Sequence, residues 1–154
     1  MALVVLAALL VGAWLPSRII VSTSPSLQHR FFFMTPVSTK NIKTGDYLVF
    51  KHKETDFVHK GLKEKNDHLI KEVGCSPSEL LKNEANRLIS CNKKILGKSL
   101  ERDSTGKPLP QFRFNGLVPR NNFFMIGSDP RSFDSRYFGF VHADNVLYKA
   151  LPLW

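Results

Sequence analysis

Cysteine is scarce in this chain, and its histidines are scattered. The sequence of 154 residues holds 2 cysteines and 5 histidines, and no histidine stands at a spacing typical of a metal-ligand pair. Two cysteines are too few for a zinc site of their own, so we predict no metal ion and no other cofactor. Neither cysteine lies in a sequence typical of a catalytic Cys/His pair, which disfavours a cysteine nucleophile.

Acidic residues and nucleic-acid-binding motifs are also under-represented. The chain has 22 Lys and Arg against 13 Asp and Glu, which gives a formal net charge of +9. Such an excess suits nucleic acid or an anionic membrane surface, where each nearby basic residue contributes about 1 kcal/mol. No helix-turn-helix and no repeated aromatic–basic pattern accompanies the charge, so we predict no nucleic-acid partner. Much of the excess lies in residues 51–65, a mixed-charge segment that a solvated loop would also explain.

Long apolar runs are confined to the N-terminus. Residues 1–15 are uncharged, and a Pro-Ser-Arg triplet separates them from Ile19-Ile20-Val21. A membrane-spanning helix needs about 20 apolar residues, so this run spans a bilayer only if it continues to Val21 with Arg18 snorkelling. A basic leading region and a small-x-small cleavage site are missing, which disfavours a removable signal. We predict an N-terminal apolar helix over 1–21, as membrane anchor or signal segment, and one domain over 22–154.

The rest of the chain predicts mainly β structure. Short apolar runs rich in aromatic and β-branched residues are separated by Gly, Pro, Asn and Asp, which is typical of strands. These runs lie at 47–50, 69–73, 112–114, 123–126 and 138–141. Residues 76–92 are ambiguous, because their opening Ser-Pro-Ser-Glu has the spacing of a helix capping box with proline at the first helical position.

A polar segment near the C-terminus is the most informative part of the sequence. Residues 127–139 read Gly-Ser-Asp-Pro-Arg-Ser-Phe-Asp-Ser-Arg-Tyr-Phe-Gly and place carboxylates, hydroxyls and guanidiniums between apolar runs. Burying such groups is costly unless they satisfy one another. We therefore expect a polar network that supports a site. The alternative is a surface turn held by ordinary Asp–Arg pairing.

Several segments in order resemble the bacterial signal peptidases. Residues 127–139 resemble the Ser-x-Asp-Ser-Arg box of that family, and the form Ser-Phe-Asp-Ser-Arg-Tyr-Phe-Gly is most similar to the TraF-like peptidases of conjugative transfer. Upstream, residues 22–27 resemble the nucleophile segment, 45–50 the Gly-Asp turn, 69–74 the lysine box and 115–119 the connection before the polar box. The matches span most of the chain.

The resemblance implies a Ser/Lys dyad and a fold of coiled antiparallel sheets. Ser26 would be the nucleophile and Lys71 the general base. Ser24, two residues before the nucleophile, would add its hydroxyl to the Ser26 backbone N–H in an oxyanion hole. The remaining family positions, which would support the active site, are Ser132, Asp134 and Arg136.

Lys71 also suits a general base on physical grounds. An exposed lysine has a pKa of about 10.4 and is charged near neutral pH, but burial lowers that pKa by several units. In an extended strand Leu69, Lys71 and Val73 share a face, which places the amine between apolar neighbours. An arginine would stay charged. The alternative is a solvated Lys71 paired with Glu72.

Cys75 and Cys91 flank the ambiguous segment, where the family has strands and a hairpin. We favour strands for that reason. In an oxidising compartment two cysteines in a chain of this size often pair. A straight helix between them would hold its ends about 16 Å apart, beyond the Cα separation of about 7 Å that a disulfide tolerates. A helix and a Cys75–Cys91 disulfide therefore nearly exclude each other.

The function implied by the resemblance is that of a membrane-associated serine endopeptidase. It would process a pilin or other exported precursor for conjugative transfer or type IV secretion, at the bacterial inner membrane with its catalytic domain in the periplasm. A general leader peptidase and an inactive, signal-peptidase-like assembly protein are the alternatives. The sequence departs from the family in three places. Gln28 stands where the family usually has a proline, and residues 29–33 form an unusual charged and aromatic cluster. Ser78-Glu79 stands where the family commonly has a Gly-Asp turn.

Overall fold

The computed structural model describes residues 18–52 and 68–154. These residues are mainly β, as predicted, with one four-residue α-helix at Ser135–Phe138. Three 3-10 turns lie at Thr39–Asn41, Ala85–Arg87 and Ala143–Asn145. The strands are β1 Ile19–Val21, β2 Phe31–Thr35, β3 Tyr47–Lys51, β4 His68–Cys75, β5 Leu80–Asn83, β6 Leu88–Cys91, β7 Lys94–Lys98, β8 Gly116–Leu117, β9 Asn122–Ile126, β10 Val141–His142 and β11 Val146–Pro152.

The strands form two antiparallel sheets. The large sheet has seven strands in the order β1-β2-β11-β3-β4-β9-β10, and the small sheet has four in the order β7-β6-β5-β8. The small sheet is formed by the chain that connects β4 to β9, two neighbours in the large sheet. The strand β11 is inserted between β2 and β3 and pairs with both.

Both faces of the large sheet are covered near β3 and β4. Leu48 and Val73 belong to one buried cluster, whereas Val49 and Ile70 belong to another. The alternation follows from the two-residue period of a strand, and each fully buried aliphatic side chain contributes about 1.5 to 3 kcal/mol. A third cluster fills the space under the small sheet and includes Phe124. A polar side chain in the middle of β4 is therefore removed from water.

The predicted N-terminal apolar helix is not supported where the structure can test it. Ile19–Val21 forms β1, and Ile20 lies opposite Phe32 of β2. Three consecutive β-branched residues fit a pleated surface better than a helix, and pairing with β2 decides the outcome. The remainder of that prediction, residues 1–17, lies outside the described residues. Among those described, no helix has the length and apolar character needed to cross a bilayer.

Three of the five predicted strands are confirmed, namely those at 47–50, 69–73 and 123–126. The strand predictions at 112–114 and 138–141 are wrong, because the first forms none and in the second only Val141 enters β10. The rings of Phe112, Phe114, Phe124 and Phe140 instead pack on one another, with centroids 5.0–6.3 Å apart. Phe112, Phe114 and Phe140 thus fill a core around Phe124 of β9 without joining a sheet themselves.

The preference for strands over a helix in residues 76–92 is confirmed by β5 and β6. The Ser76 N–H does donate to Glu79 Oε2 at 2.7 Å, as in a capping box. However, Ser78 has a φ of 67°, which ends any helix at once. The sulfurs of Cys75 and Cys91 are bonded, with the two Cα atoms 5.7 Å apart. The bond ties the end of β4 to β6.

Candidate active site

Lys71 lies in the middle of β4 and is 4% exposed. Leu48 lies opposite it on β3. Burial lowers the pKa of Lys71 to about 8; Asp134 and Asp129 oppose this effect, and the Arg136 charge reinforces it. The neighbouring Glu72 faces Tyr47 instead. The amine is therefore not the solvated partner of Glu72, and a large fraction of it is neutral in mildly alkaline solution.

Ser26 lies in the loop between β1 and β2, and its side chain is buried. Its Oγ is 2.7 Å from the Oγ of Ser24. The Ser22 hydroxyl donates to the Ser24 carbonyl at 3.2 Å, and the Ser22 N–H donates to the Arg30 carbonyl at 2.8 Å. These contacts close the loop and hold Ser24 and Ser26 side by side, while Pro25 between them fixes its own φ.

Gly127 is the point at which the Ser26 loop meets the lysine strand. Because Ile126 of β9 lies opposite Glu72, the antiparallel register brings Gly127 beside Lys71. A Cβ on Gly127 would lie 2.6 Å from the Ser26 carbonyl oxygen and 2.1 Å from the Ser132 Oγ. The Asp129 N–H also approaches the Ser26 carbonyl at 3.4 Å. The absence of a side chain at 127 lets these segments converge.

Ser26 and Lys71 are brought to the same place but are not hydrogen-bonded. The Ser26 hydroxyl contacts Ser24, and within residues 18–52 and 68–154 no hydrogen bond joins it to Lys71. In enzymes without substrate such catalytic contacts are often long and tighten only in the complex.

Asp134 and Arg136 form a buried, bidentate pair under the site. Asp134 is 0% exposed, and its two oxygens accept from Arg136 Nε at 2.8 Å and Nη2 at 2.7 Å. Asp134 Oδ2 also accepts from the Gly127 N–H at 2.8 Å. Burial lowers the pKa of Arg136, but the bonds to Asp134 more than offset this and hold that pKa above its ordinary value. The segment is therefore a buried network and not a surface turn.

The Arg136 guanidinium also joins the two sheets. Its Nη2 donates to the carbonyls of Ser132 at 3.2 Å and Asp129 at 3.3 Å, within the polar segment. Its Nη1 donates at 3.1 Å to the carbonyl of Lys98, at the end of β7 in the small sheet. Ser135 completes the network by accepting the Met125 N–H of β9 at 2.8 Å.

Ser132 is the one member of this segment with an unsatisfied hydroxyl. Its side chain is buried, and its Oγ has no hydrogen-bond partner in the part of the chain that the structure describes. An unpaired buried hydroxyl costs free energy, and such groups are uncommon in native proteins. The Oγ lies over Gly127, beside the position of Lys71. It is therefore an unused hydrogen-bonding group close to the lysine strand.

Cys75, Cys91 and Glu79 also place ligand-type atoms within 4.8 Å of one another. The two sulfurs are bonded to each other and offer no thiolate. The Glu79 carboxylate is held by the Ser76 N–H and by the Asn92 side-chain amide. The three residues therefore fasten the small sheet to the end of β4.

Sequence reasoning missed two residues that shape the site. Gly127 was visible only as the first residue of the polar segment, and nothing in the sequence shows that a Cβ there would strike Ser26 and Ser132. Ser22 was one serine among several, and its bond to the Ser24 carbonyl depends on how the loop closes. Both roles follow from contacts between segments that are far apart in sequence.

A protein-family model over the whole chain identifies its family. The family model described as "Signal peptidase, peptidase S26" matches residues 1–154. A curated "Signal peptidase I" of Buchnera aphidicola subsp. Schizaphis graminum is 49% identical over 39 residues, which is 25% of this chain and 12% of that protein. The chain thus matches a small part of that relative. The crystal structure of a signal peptidase I from Enterococcus faecalis V583 aligns with 71% of this chain and 96% of its own, at 22% identity and a TM-score of 0.42.

Proposed function

The chain belongs to the signal peptidase family, peptidase S26, and on that premise we propose that it is a serine endopeptidase with a Ser26/Lys71 dyad. The observation that carries the proposal is a lysine that is 4% exposed, with a pKa lowered to about 8, beside the segment that holds Ser26. A general base needs a pKa near the working pH, and a buried lysine meets that need.

The reaction begins when the Ser26 hydroxyl turns from Ser24 towards Lys71. Neutral Lys71 takes the hydroxyl proton as Ser26 Oγ attacks the peptide carbonyl. The charged amine then gives that proton to the leaving nitrogen, and the C–N bond breaks to leave an ester on Ser26. A water molecule that loses its proton to Lys71 attacks the ester, and the acid product leaves with Ser26 restored.

Ser24 and the polar segment support this chemistry in different ways. Once Ser26 has turned, the Ser24 hydroxyl is released and, with the Ser26 backbone N–H, can donate to the developing oxyanion. One such donor contributes about 3 to 4 kcal/mol of transition-state stabilisation. Ser132 can accept a bond from the Lys71 amine and so orient it. Asp134 and Arg136 fix the Gly127 backbone against which Ser26 rests.

An exposed apolar surface at β1, β2 and β11 supports a position at a membrane. The register aligns two rows of side chains across these strands, and Trp154 beyond them is 83% exposed. Tryptophan and other aromatic residues favour the membrane–water interface. The rows consist of Ile19, Phe33 and Leu151, and of Val21, Phe31 and Leu153. We place the folded domain, which includes β1, on the periplasmic side of the bacterial inner membrane, where its disulfide is stable, with the residues before β1 as anchor or signal segment.

The proposed substrate is a pilin or other exported precursor of a conjugative or type IV secretion apparatus. This assignment is supported by the likeness of Ser132-Phe133-Asp134-Ser135-Arg136 and the residues after it to the conjugative branch of the family. The Phe133 ring stacks on Tyr137, with centroids 5.3 Å apart. The aromatic residues of the box thus also pack on the core beneath the site.

Cleavage by the full chain in lipid vesicles tests the proposal. A pilin precursor and an unrelated secretory precursor are supplied in parallel, and the products are identified by mass spectrometry. We expect preferential cleavage of the pilin, its loss in Ser26→Ala and Lys71→Arg, and its retention in the matched surface variant Lys43→Arg. Equal cleavage of both precursors would favour a general leader peptidase. A folded wild type that cleaves neither would favour the inactive assembly protein, and activity in Ser26→Ala would exclude the dyad.

A further inference from the structure

The outer face of the small sheet carries apolar side chains that nothing in the described chain covers. Leu81 and Ile89 point into the core, so alternate residues of the same strands point outwards. Lys82 lies opposite Ser90, which in turn lies opposite Ile95, and Leu80 lies opposite Leu117. Ile95 is 60% exposed and Leu117 is 62% exposed. The face is thus an apolar strip crossed by polar residues.

A groove runs along this face. It has a volume of about 240 Å³ and is lined by Leu80, Lys82, Glu84, Ser90, Lys93 and Ile95. That volume is smaller than the roughly 300 to 1,000 Å³ of typical small-molecule sites. Ser90 is buried on the floor, where its hydroxyl donates to Glu84 at 2.8 Å. The size and the mixed lining suit a side chain of a bound polypeptide better than a whole small ligand.

Positive charge is in excess around the groove. Residues 76–117 hold eight basic side chains against four acidic ones, and one of the acidic ones, Glu84, lines the groove. Glu79 accepts from Ser76, Glu84 from Ser90 and Asp103 from Thr105, while Glu101 pairs with Arg87. The exposed lysines of the small sheet form no ion pair with any other described residue; they are Lys82, Lys93, Lys94 and Lys98. The complementary partner is therefore acidic.

We propose that this face binds an extended acidic segment of a partner polypeptide. An apolar side chain of that segment lies in the groove between Leu80 and Ile95, and its carboxylates lie near Lys82 and Lys93. The apolar anchor provides most of the affinity, while the lysines at the rim accelerate association and make it sensitive to salt. The site is separate from the dyad and does not depend on it.

A polypeptide fits this face better than an anionic bilayer does. The groove is concave and has a polar floor, whereas the exposed apolar rows suited to a membrane lie on β1, β2 and β11. The small sheet leaves the large sheet at β4, and β2, β11 and β3 separate β4 from β1. The two surfaces can therefore serve different partners at once.

Fluorescence anisotropy with the full chain in detergent tests the proposal. The probe is a labelled peptide, Asp-Glu-Val-Leu-Asp-Glu, and the control probe replaces each acidic residue with lysine. We expect saturable binding of the acidic probe that weakens with salt, and none of the basic probe. Lys82→Glu with Lys93→Glu should weaken binding at least tenfold, and Ile95→Ser severalfold. The matched variant Lys40→Glu with Lys43→Glu changes the net charge equally, away from the groove, and should bind like wild type.

Other outcomes would overturn the proposal. Equal losses of peptide affinity in the two double variants would mean that the net charge of the protein, and not this face, causes binding. Binding of the acidic probe that does not saturate would exclude a specific site. Vesicles of phosphatidylglycerol that bind through Lys82 and Lys93, with no peptide binding, would assign the face to the membrane. Cleavage of a short peptide substrate reports folding in every variant, and we expect it to be unchanged because these residues lie outside the catalytic machinery.

Discussion

The protonation state of Lys71 should determine how the rate of cleavage depends on pH. Its pKa is lowered to about 8 by burial, and only the neutral amine can take the Ser26 proton. Activity should therefore rise with pH, with a midpoint near pH 8, and stay high in mildly alkaline solution. The rate of precursor cleavage against pH measures this in wild type and in a variant with all five histidines replaced by glutamine. A rising limb near pH 6.5 that disappears with the histidines would assign the base to one of them.

The same burial makes Lys71 unfavourable for stability. The pKa falls from 10.5 in the unfolded chain to about 8 in the fold. The folded state therefore resists protonation, and the cost is fully present below pH 8 and disappears as the pH rises towards 10.5. At about 1.4 kcal/mol per pH unit, this cost is roughly 3 kcal/mol.

Replacing Lys71 with methionine should relieve that cost while abolishing activity. The stabilisation of Lys71→Met relative to wild type should be about 3 kcal/mol greater at pH 7 than at pH 10.5. Any apolar packing gained by methionine is the same at both values and cancels in the comparison. Urea unfolding of both proteins at the two pH values gives the difference. An equal stabilisation at both would mean that Lys71 titrates normally in the fold.

Gly127 should tolerate no side chain. A Cβ there would lie 2.1 Å from Ser132 Oγ and 2.6 Å from the Ser26 carbonyl oxygen, so the nucleophile loop must move. Gly127→Ala should lower kcat at least a hundredfold, because displacements of about 1 Å at a catalytic group have effects of that size. Gly74→Ala is the comparison in β4, since its Cβ would crowd the Ile126 side chain at 3.0 Å and not the Ser26 backbone. Similar losses in both variants would point to general strand disruption.

At the scale of elements, the turn and short helix at 127–138 act as a unit held by one ion pair. Asp134→Ala would leave the Arg136 guanidinium buried without its carboxylate and release the Gly127 N–H. Breaking a buried pair from one side costs about 3 to 5 kcal/mol. We expect a lower midpoint in thermal unfolding together with lower kcat.

Asp129→Ala is the comparison for that variant, because the Asp129 side chain bonds to the backbone and side chain of Arg131, which is exposed. It should lose much less stability. An Asp134→Ala protein that unfolds and cleaves like wild type would mean that the pair contributes nothing to the site.

The elements show which features a sequence reveals and which it does not. The two-residue period of a strand placed Lys71 on the same face as Leu69 and Val73, but only the resemblance to the signal peptidases favoured a buried amine over a solvated one. Apolar character alone did not show that Ile19–Val21 forms a strand and not a helix. It also did not show that Phe112 packs in an aromatic cluster and not in a strand, because both arrangements bury the same side chain. The contacts of Gly127 depend on the pairing of β4 with β9, so no local sequence pattern could predict them.

At the scale of the whole molecule, the two residues of the proposed dyad come from different parts of the large sheet. Ser26 precedes β2, whereas Lys71 belongs to β4, and the strand order places β11 and β3 between those two strands. Neither β2 nor β1 pairs with β3 directly among the described strands. The relative position of nucleophile and base therefore depends on a strand whose residues, Val146–Pro152, are the last of the described strands in the chain.

That arrangement determines when, during synthesis, Ser26 and Lys71 can come together. A ribosome adds about 5 to 20 residues each second, and contacts between distant segments form late. Until Val146–Pro152 has emerged and entered the gap between β2 and β3, the serine loop has no fixed distance to the lysine. A nascent chain thus carries a serine and a lysine that cannot yet act together. On the proposed function, activity would therefore begin only after synthesis of this strand is complete.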